Sequence, residues 1–168
     1  IRGIGFSGQM HGHVMLDAEA RLIRNAIIWA DQRSGPQIEK IYRVIPREQF
    51  GEIYCNKLST GFLLPSLLWV REHEPQNYEK VRKVLLPKDY IRYRICGELG
   101  TDASDASGTG MWDMKRRDWA YGLLEKLDIL RDMMTVSRES YGQAGVVTKE
   151  CARETGLRAG TFVAYGGG

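Results

Sequence analysis

A five-residue loop near the start of the chain carries the side chains best suited to binding a small polar ligand. Residues 8 to 12 read Gly-Gln-Met-His-Gly and follow Ile1–Phe6, a segment with strand-like alternation. The flanking glycines let the backbone turn sharply and let a ligand approach closely. The loop presents an amide (Gln9), a thioether (Met10) and an imidazole (His11) at a strand end, where open α/β sheets usually bind ligands. The same spacing also fits a tight turn in which His11 only caps a backbone group.

Two further segments concentrate polar side chains. Residues 29 to 33 read Trp-Ala-Asp-Gln-Arg, and there Asp31 could cap the next helix while Arg33 pairs with it or with a ligand oxygen. Residues 102 to 109 read Asp-Ala-Ser-Asp-Ala-Ser-Gly-Thr, and their spacing matches no calcium loop. Hydrogen bonds from these short side chains to their own backbone are a sufficient reason for the polar composition of residues 102–109, and no ligand is needed. No Ser-His-Asp or Cys-His catalytic set is visible from spacing alone.

The composition excludes several classes of function. A net charge of +3 with scattered Lys and Arg does not favour nucleic acid or an anionic membrane as a partner. Three widely separated cysteines indicate neither a disulfide framework nor a zinc site, which suits a reducing cytoplasm. No apolar run is long enough to cross a bilayer, and no signal peptide is visible.

The elements that must position these side chains follow from periodicity and turn residues. The first thirty residues are predicted to form a three-stranded meander from 1–6, 12–16 and 22–29. A helical middle of about ninety residues follows. Its predicted elements are helices at 38–45, 47–54, 63–70, 88–96 and 118–127, a short helix from residue 74, and a buried strand or turn at 84–86. The end is predicted as strand, helix, strand at 145–148, 149–155 and 161–165, resembling a βαβ unit. One α/β body with a helical insertion is the simplest interpretation.

The two ends of the sequence indicate an internal piece of a longer protein. Ile1 lies inside a predicted strand, and the chain stops at the glycine run 166–168 directly after another. Strand ends and glycines need partners to be ordered.

Taken in order along the chain, these motifs resemble the FGGY family of carbohydrate kinases, and most closely its xylulokinase branch. The resemblance covers nearly all 168 residues. Its motifs are Gly-Gln-Met-His-Gly at 8–12, Ile-Trp-Ala-Asp-Gln-Arg at 28–33, Gly-Phe at 61–62, Leu-Leu-Trp-Val at 67–70, Arg71 to Pro75, Leu-Leu-Pro-Lys-Asp-Tyr-Ile-Arg at 85–92, Thr101 to Thr109, and the closing glycines. Each motif alone is weak, but the ordered set is specific.

The resemblance implies part of an actin-like (ribonuclease H-like) ATPase fold with a helical insertion. Residues 1–158 would belong to the N-terminal sugar-binding domain, and 159–168 would start the second domain. The implied parent enzyme uses ATP and Mg²⁺ to convert D-xylulose to xylulose 5-phosphate, is cytoplasmic, and forms a homodimer. It would bind neither nucleic acid nor membrane.

The resemblance also assigns roles to individual residues. Met10 and His11 would contact the sugar, and Gln9 would shape the same loop. Asp31 and Arg33 would brace the pocket or reach its edge, and Phe62 would form a wall. The catalytic Asp of the family follows a glycine pair or triplet, so it is expected directly after Gly168. The phosphate loop is expected upstream of Ile1, and the main ATP- and Mg²⁺-binding segments also lie outside the sequence.

One departure from the family pattern and two alternatives remain open. Ser66 stands where the family commonly has Lys, which puts an ionic contact there in doubt. The chain could instead be an autonomous sugar-binding or interaction module. It could also belong to a kinase for another ketose, a polyol or gluconate, although no Arg or Lys lies in the 8–12 loop to meet a carboxylate. The kinase hypothesis predicts that the 168-residue chain has no activity by itself.

Overall fold

The computed structural model describes all residues from Ile1 to Gly168, and helices dominate its middle. The eight α-helices are α1 (Gly35–Val44), α2 (Arg47–Tyr54), α3 (Leu63–His73), α4 (Pro75–Tyr78), α5 (Pro87–Cys96), α6 (Ala103–Ser107), α7 (Tyr121–Lys126) and α8 (Lys149–Thr155), with a 3-10 turn at Arg131–Met133. None of the helices has both the length and the apolar character needed to span a bilayer.

Nine short strands form four small sheets. The strands are β1 (Gly3–Ile4), β2 (Val14–Leu16), β3 (Lys83–Leu85), β4 (Thr101–Asp102), β5 (Trp112–Asp113), β6 (Asp118–Trp119), β7 (Ser137–Arg138), β8 (Gln143–Val146) and β9 (Phe162–Ala164). The three-stranded sheet has the order β1-β9-β8, and the other three sheets pair β2 with β3, β4 with β7, and β5 with β6.

The predicted N-terminal meander is wrong for its first strand, whereas its second and third segments do pair antiparallel through two bridges. Strand β1 pairs in parallel with β9 from the far end of the chain, and β2 pairs antiparallel with β3. Between residues 22 and 29 only isolated bridges form, at Leu22 and Ile27. Alternation of apolar residues identifies a half-buried extended segment, but it carries no information about which segment will be its partner.

The C-terminal strand, helix and strand are confirmed, but they do not form a parallel unit. Helix α8 has the predicted bounds because Thr148 caps it, accepting a hydrogen bond from the Cys151 amide, and Gly156 ends it with φ = 75°. Strands β8 and β9 are antiparallel, so the helix connects two strands that run in opposite directions.

The helical middle surrounds the main hydrophobic core, a cluster of 27 buried residues. Helix α3 lies at its centre, and seven of its eleven residues are buried. Pro65 is accommodated in the first turn of α3, because the amide that proline lacks would have no partner within the helix there. This helix is therefore a rigid support for the residues at its N-terminus.

The predicted helix at 118–127 begins three residues late. Strand β6, which contains Trp119, pairs with β5 instead, and the Trp119 ring packs edge-on against Trp112 at 5.5 Å between centroids. The Trp119 indole N–H also donates to the carbonyl oxygen of Thr135 at 2.7 Å. These tertiary contacts outweigh the helical spacing that the local sequence shows.

Candidate functional site

The loop at 8–12 is tied down at both ends by close packing of the chain itself. A Cβ on Gly8 would lie 2.9 Å from the Cβ of Lys88, and one on Gly12 would lie 2.8 Å from the carbonyl oxygen of Ile27. Both glycines are therefore required by packing before any ligand is considered. Between them His11 adopts φ = 73°, a left-handed conformation that non-glycine residues seldom occupy. Strained positions of this kind concentrate at functional sites.

The imidazole of His11 is held by two independent contacts. Its Nδ1 lies 2.7 Å from the carbonyl oxygen of Gly108, and its ring stacks on Phe62 with centroids 4.1 Å apart and an interplanar angle of 6°. Because a carbonyl oxygen can only accept, Nδ1 carries the proton. The neutral imidazole then keeps the lone pair of Nε2 free, so this nitrogen can accept a hydrogen bond from a ligand hydroxyl.

Phe62 is positioned by the turn that precedes α3. Gly61 has φ = 78°, and a Cβ there would overlap the carbonyl of Trp29. The Trp29 backbone thus lies against Gly61, and the Trp29 side chain is 58% exposed. Trp29 is a further candidate residue, which the sequence analysis included only as part of the 29–33 segment.

Asp31 and Arg33 form an ion pair beside helix α3. The Arg33 guanidinium is 2.8 Å from Asp31 Oδ2, and the Arg33 amide donates to Asp31 Oδ1 at 2.9 Å. Hydrogen bonds from Arg33 hold the pKa of Asp31 below its ordinary value, although burial acts in the opposite direction. The guanidinium also lies over the ring of Trp69, at 4.7 Å. Trp69 follows Phe62 by two helical turns, about 10 Å along α3.

Asp31 does not cap helix α1. The N-cap residue is Ser34, whose side chain makes no capping bond. Proline in the first turn stabilises this helix start instead, because its fixed φ suits the helix and it has no amide to leave unpaired. The pairing of Asp31 with Arg33 is the part of the prediction that is confirmed.

The polar segment at 102–109 contains the short helix α6, which the sequence analysis did not predict. Asp102 caps it by accepting from the amides of Ser104 and Asp105, and the Thr109 hydroxyl donates to the carbonyl of Ala106 at 2.7 Å. Local bonding of these side chains to the backbone is confirmed. The segment also supplies the carbonyl of Gly108 that orients His11, a role invisible in the sequence.

Below this segment lies a buried cluster of charges around Lys88. The Lys88 ammonium contacts Asp89 Oδ1 at 2.7 Å, Asp102 Oδ1 at 2.9 Å and Asp105 Oδ2 at 3.5 Å. All four side chains are at most 1% exposed. No group of three or more acidic, His or Cys side chains is arranged to hold a metal ion.

Ser66 lies on α3 and is fully buried, and its hydroxyl oxygen has no hydrogen-bond partner. The ionic contact that a lysine could make at this position is absent. Gln9, by contrast, is exposed on the loop, while Met10 is half-buried beside the glycine run 166–168.

Comparison with known proteins defines the class to which this fold and site belong. The family model described as "FGGY family of carbohydrate kinases, N-terminal domain" matches residues 1–168. A xylulose kinase of Escherichia coli K12 is 39% identical over 99% of the chain, and one of Bacillus subtilis 168 is 40% identical over 99%. The chain spans about a third of the length of these curated relatives, 34% and 33% respectively.

Solved structures agree with the sequence relatives. A protein described as a "xyloylose kinase" of Brucella ovis superimposes with a TM-score of 0.91 at 40% identity, covering 100% of this chain and 34% of its own. Xylulose kinase from Rhodospirillum rubrum gives 0.93 at 26% identity, covering 99% and 34%. The mixed α/β structure is thus part of the actin-like ATPase fold of sugar kinases. The chain belongs to the FGGY family of carbohydrate kinases, as the N-terminal domain or part of it.

The fold alone does not select the substrate. A glycerol kinase of Plasmodium falciparum shares the fold with a TM-score of 0.89 at 16% identity, covering 100% of this chain and 34% of its own. Function within such a family depends on the side chains of the site.

Proposed function

We propose that a full-length protein carrying this chain transfers the γ-phosphoryl group of ATP to D-xylulose and forms xylulose 5-phosphate. The observation that carries the proposal is the fixed imidazole of His11, bonded through Nδ1 to Gly108 and stacked on Phe62. An imidazole fixed in one tautomer offers a neutral acceptor to a sugar hydroxyl. The names of relatives that are 35–40% identical favour xylulose as the sugar.

In this proposal the chain supplies binding and orientation for the sugar. Met10 and His11 contact the sugar, Gln9 shapes the loop, and Phe62 gives an apolar wall against which the C–H face of a sugar can pack. Asp31 and Arg33 brace the edge. Phosphoryl transfer depends mainly on holding the attacking oxygen in line with phosphorus. Uncharged donors and acceptors at fixed positions suit a neutral sugar better than a sugar acid.

The remaining chemistry is assigned to segments that follow or precede this chain in longer relatives. A carboxylate expected directly after Gly168 would take the proton of the attacking hydroxyl as the new P–O bond forms and ADP departs. When bound, Mg²⁺ neutralises charge on the phosphates, and its ligands are expected outside this chain. The division at residues 158 and 159, the homodimer and the cytoplasmic location also remain predictions.

The test is a coupled ADP-release assay on a full-length enzyme that contains this chain. D-xylulose should be the preferred acceptor over D-ribulose, glycerol and gluconate, judged by kcat/KM. Preference for gluconate or glycerol would contradict the proposed substrate. The 168-residue chain should show no turnover in the same assay, and calorimetry should show whether it retains sugar binding without ATP. Turnover by the chain alone would refute the proposal that the catalytic and nucleotide-binding residues lie outside this chain.

A further inference from the structure

A buried carboxyl without a hydrogen-bond partner lies directly beneath the proposed sugar loop. The Asp105 side chain is 0% exposed, and neither of its oxygens has a hydrogen-bond partner. A Cβ on Gly168 would lie 2.8 Å from Asp105 Oδ1 and 2.8 Å from Met10 Cγ. Asp105 therefore lies where the sugar loop meets the glycine run 166–168. Burying such a group without a partner is costly, and sites of this kind need an explanation.

Lys88, the nearest cation to Asp105, is bonded more closely to two other carboxylates. Lys88 Nζ is 3.5 Å from Asp105 Oδ2 but makes shorter bonds, 2.7 and 2.9 Å, to Asp89 and Asp102. The stem of the same lysine packs under Gly8 at the start of the sugar loop. Lys88 thus connects the first residue of the loop to the carboxyl beneath its centre.

The other charged groups around Asp105 do not replace that missing partner. Arg92, on α5, is bonded to the carbonyl oxygens of Glu98 and Gly100 and approaches Asp89 at 3.7 Å. Asp102, at the start of α6, accepts from the hydroxyls of Ser104 and Ser140. His11, on the loop, bonds to Gly108. The Arg92 guanidinium thus contacts Asp89 and backbone carbonyls. Among the three carboxylates around the Lys88 ammonium, Asp105 makes the longest contact.

This arrangement favours a neutral Asp105. Burial raises the pKa of its carboxyl to about 7; nearby Lys88 opposes the rise, and the negative charges of Asp89 and Asp102 add to it. Hydrogen bonds from Ser104 and Lys88 instead hold the pKa of Asp102 low, despite its burial. Asp105 therefore exchanges a proton near neutral pH while Asp102 stays ionised.

We propose that Asp105 is a positioning residue of the sugar site, which in its neutral form keeps Met10 packed against the glycine run. Loss of the proton leaves a buried anion with one distant cation, and such an anion draws in water and loosens the contacts around it. Met10 and Gly168 then separate, and sugar affinity falls. The link to sugar use rests on the proposed function; the link between Asp105 and Met10 does not.

The first test follows the Met10 methyl group by NMR in a full-length enzyme carrying this chain, labelled at methionine methyls. In the wild type the Met10 signal should shift with pH with a midpoint near 7, the pKa of Asp105. In Asp105→Asn, which mimics the neutral carboxyl, the shift should disappear and the signal should stay at its low-pH position. Asp132→Asn, an exposed matched control, should titrate like the wild type. A wild-type Met10 signal that does not titrate between pH 5.5 and 8.5 would overturn the proposal even if the variant fails to fold.

The second test uses kinetics. The sugar KM of the wild type should rise at least threefold from pH 6 to pH 8, whereas Asp105→Asn should keep the low-pH value throughout. The KM for ATP should be equal in the two proteins. An unchanged pH dependence of sugar KM in Asp105→Asn would refute the proposal, since a group other than Asp105 would then account for it. If the wild type does not phosphorylate D-xylulose, the proposed function fails, and the Met10 titration still decides the role of Asp105.

Discussion

His11 Nδ1 lies 2.7 Å from the carbonyl oxygen of Gly108, a residue 97 positions further along the chain. This hydrogen bond fixes the tautomer of a loop residue through the backbone of a distant segment. Stacking on Phe62 from a third segment fixes the plane of the ring. Three parts of the sequence thus contact one imidazole. Such contacts fix the orientation of the ring, as expected for a site that must hold a ligand in one position.

Replacing His11 with Ala in a full-length enzyme should lower kcat/KM for the sugar about 10-fold or more, equivalent to about 1.4 kcal/mol. ATP affinity should stay nearly constant, because the proposed function gives the imidazole no role in nucleotide binding. His73→Ala is a matched control: His73 also stacks on an aromatic ring, Trp69, and bonds to a backbone carbonyl, but on an exposed helix end. Collapse of ATP binding in His11→Ala, or an equal loss in His73→Ala, would contradict the assigned role.

Gly61→Ala should destabilise the chain and distort the wall formed by Phe62. The left-handed φ of 78° costs about 1 kcal/mol for alanine, and the overlap with the Trp29 carbonyl should add about 1–3 kcal/mol. Gly156→Ala isolates the first contribution, because φ is 75° there and no atom lies within 4 Å of the new methyl. Urea unfolding of both variants measures the difference. Equal losses would show that the contact with Trp29 does not matter.

The buried His13 should make the fold acid-sensitive. Burial lowers its pKa from 6.5 to about 3, helped by Arg24 and opposed by Asp31, and neither ring nitrogen has a partner. Between these two pH values the unfolded chain binds more protons than the folded one. The stabilisation is therefore complete above pH 6.5 and is lost as pH falls toward 3, by up to about 1.4 kcal/mol per pH unit.

Urea titrations of His13→Leu between pH 7 and 4 should show a shallower loss of stability than the wild type. His73→Leu, at an exposed position, should retain the wild-type slope. The same slope in all three proteins would mean that the fold accommodates a charged His13, contrary to its burial.

Lys88→Met should cost about 3–5 kcal/mol of unfolding free energy, because it leaves the buried carboxylates of Asp89 and Asp102 without their shared cation. The exposed Lys57→Met should change stability by less than about 0.5 kcal/mol. Chemical denaturation at pH 7 distinguishes the two. Adding Asp105→Asn to Lys88→Met should change this loss little, because Lys88 is the group that lowers the pKa of Asp105, and without it the carboxyl is neutral. A large recovery of stability would indicate that Asp105 is ionised, contrary to the proposed neutral form.

Helix bounds were largely predictable where local chemistry decides them. The caps formed by Thr148 and Gly156 define α8, and Gly97, at φ = 78°, ends α5 at the predicted residue, Cys96. Strand partners were not predictable, because β1 finds its neighbour in β9 across nearly the whole chain. The alternation of apolar residues within a strand does not indicate which strand it will pair with.

For the site, residue type revealed more than residue environment. The glycine-framed loop identified Met10 and His11 as candidates from their chemistry. The roles of the Gly108 carbonyl and the Asp105 carboxyl could not be predicted from the sequence, because they depend on contacts with distant residues. Hydrogen bonds of residues 102–109 to their own backbone were a sufficient interpretation of that segment. Lys88 was equally hidden, as a single charge in a helical pattern.

The pairing of β1 with β9, extended by the bridge between Ser7 and Gly167, has a consequence for biosynthesis. The candidate loop begins directly after Ser7, so the pairing of its supporting strand with β9 can form only after β9 has been synthesised. Contacts so distant in sequence form slowly and leave strand edges exposed in the meantime. We expect the helical core to form before this loop is fixed, and truncation before β9 should leave the helices in place but the loop without its support.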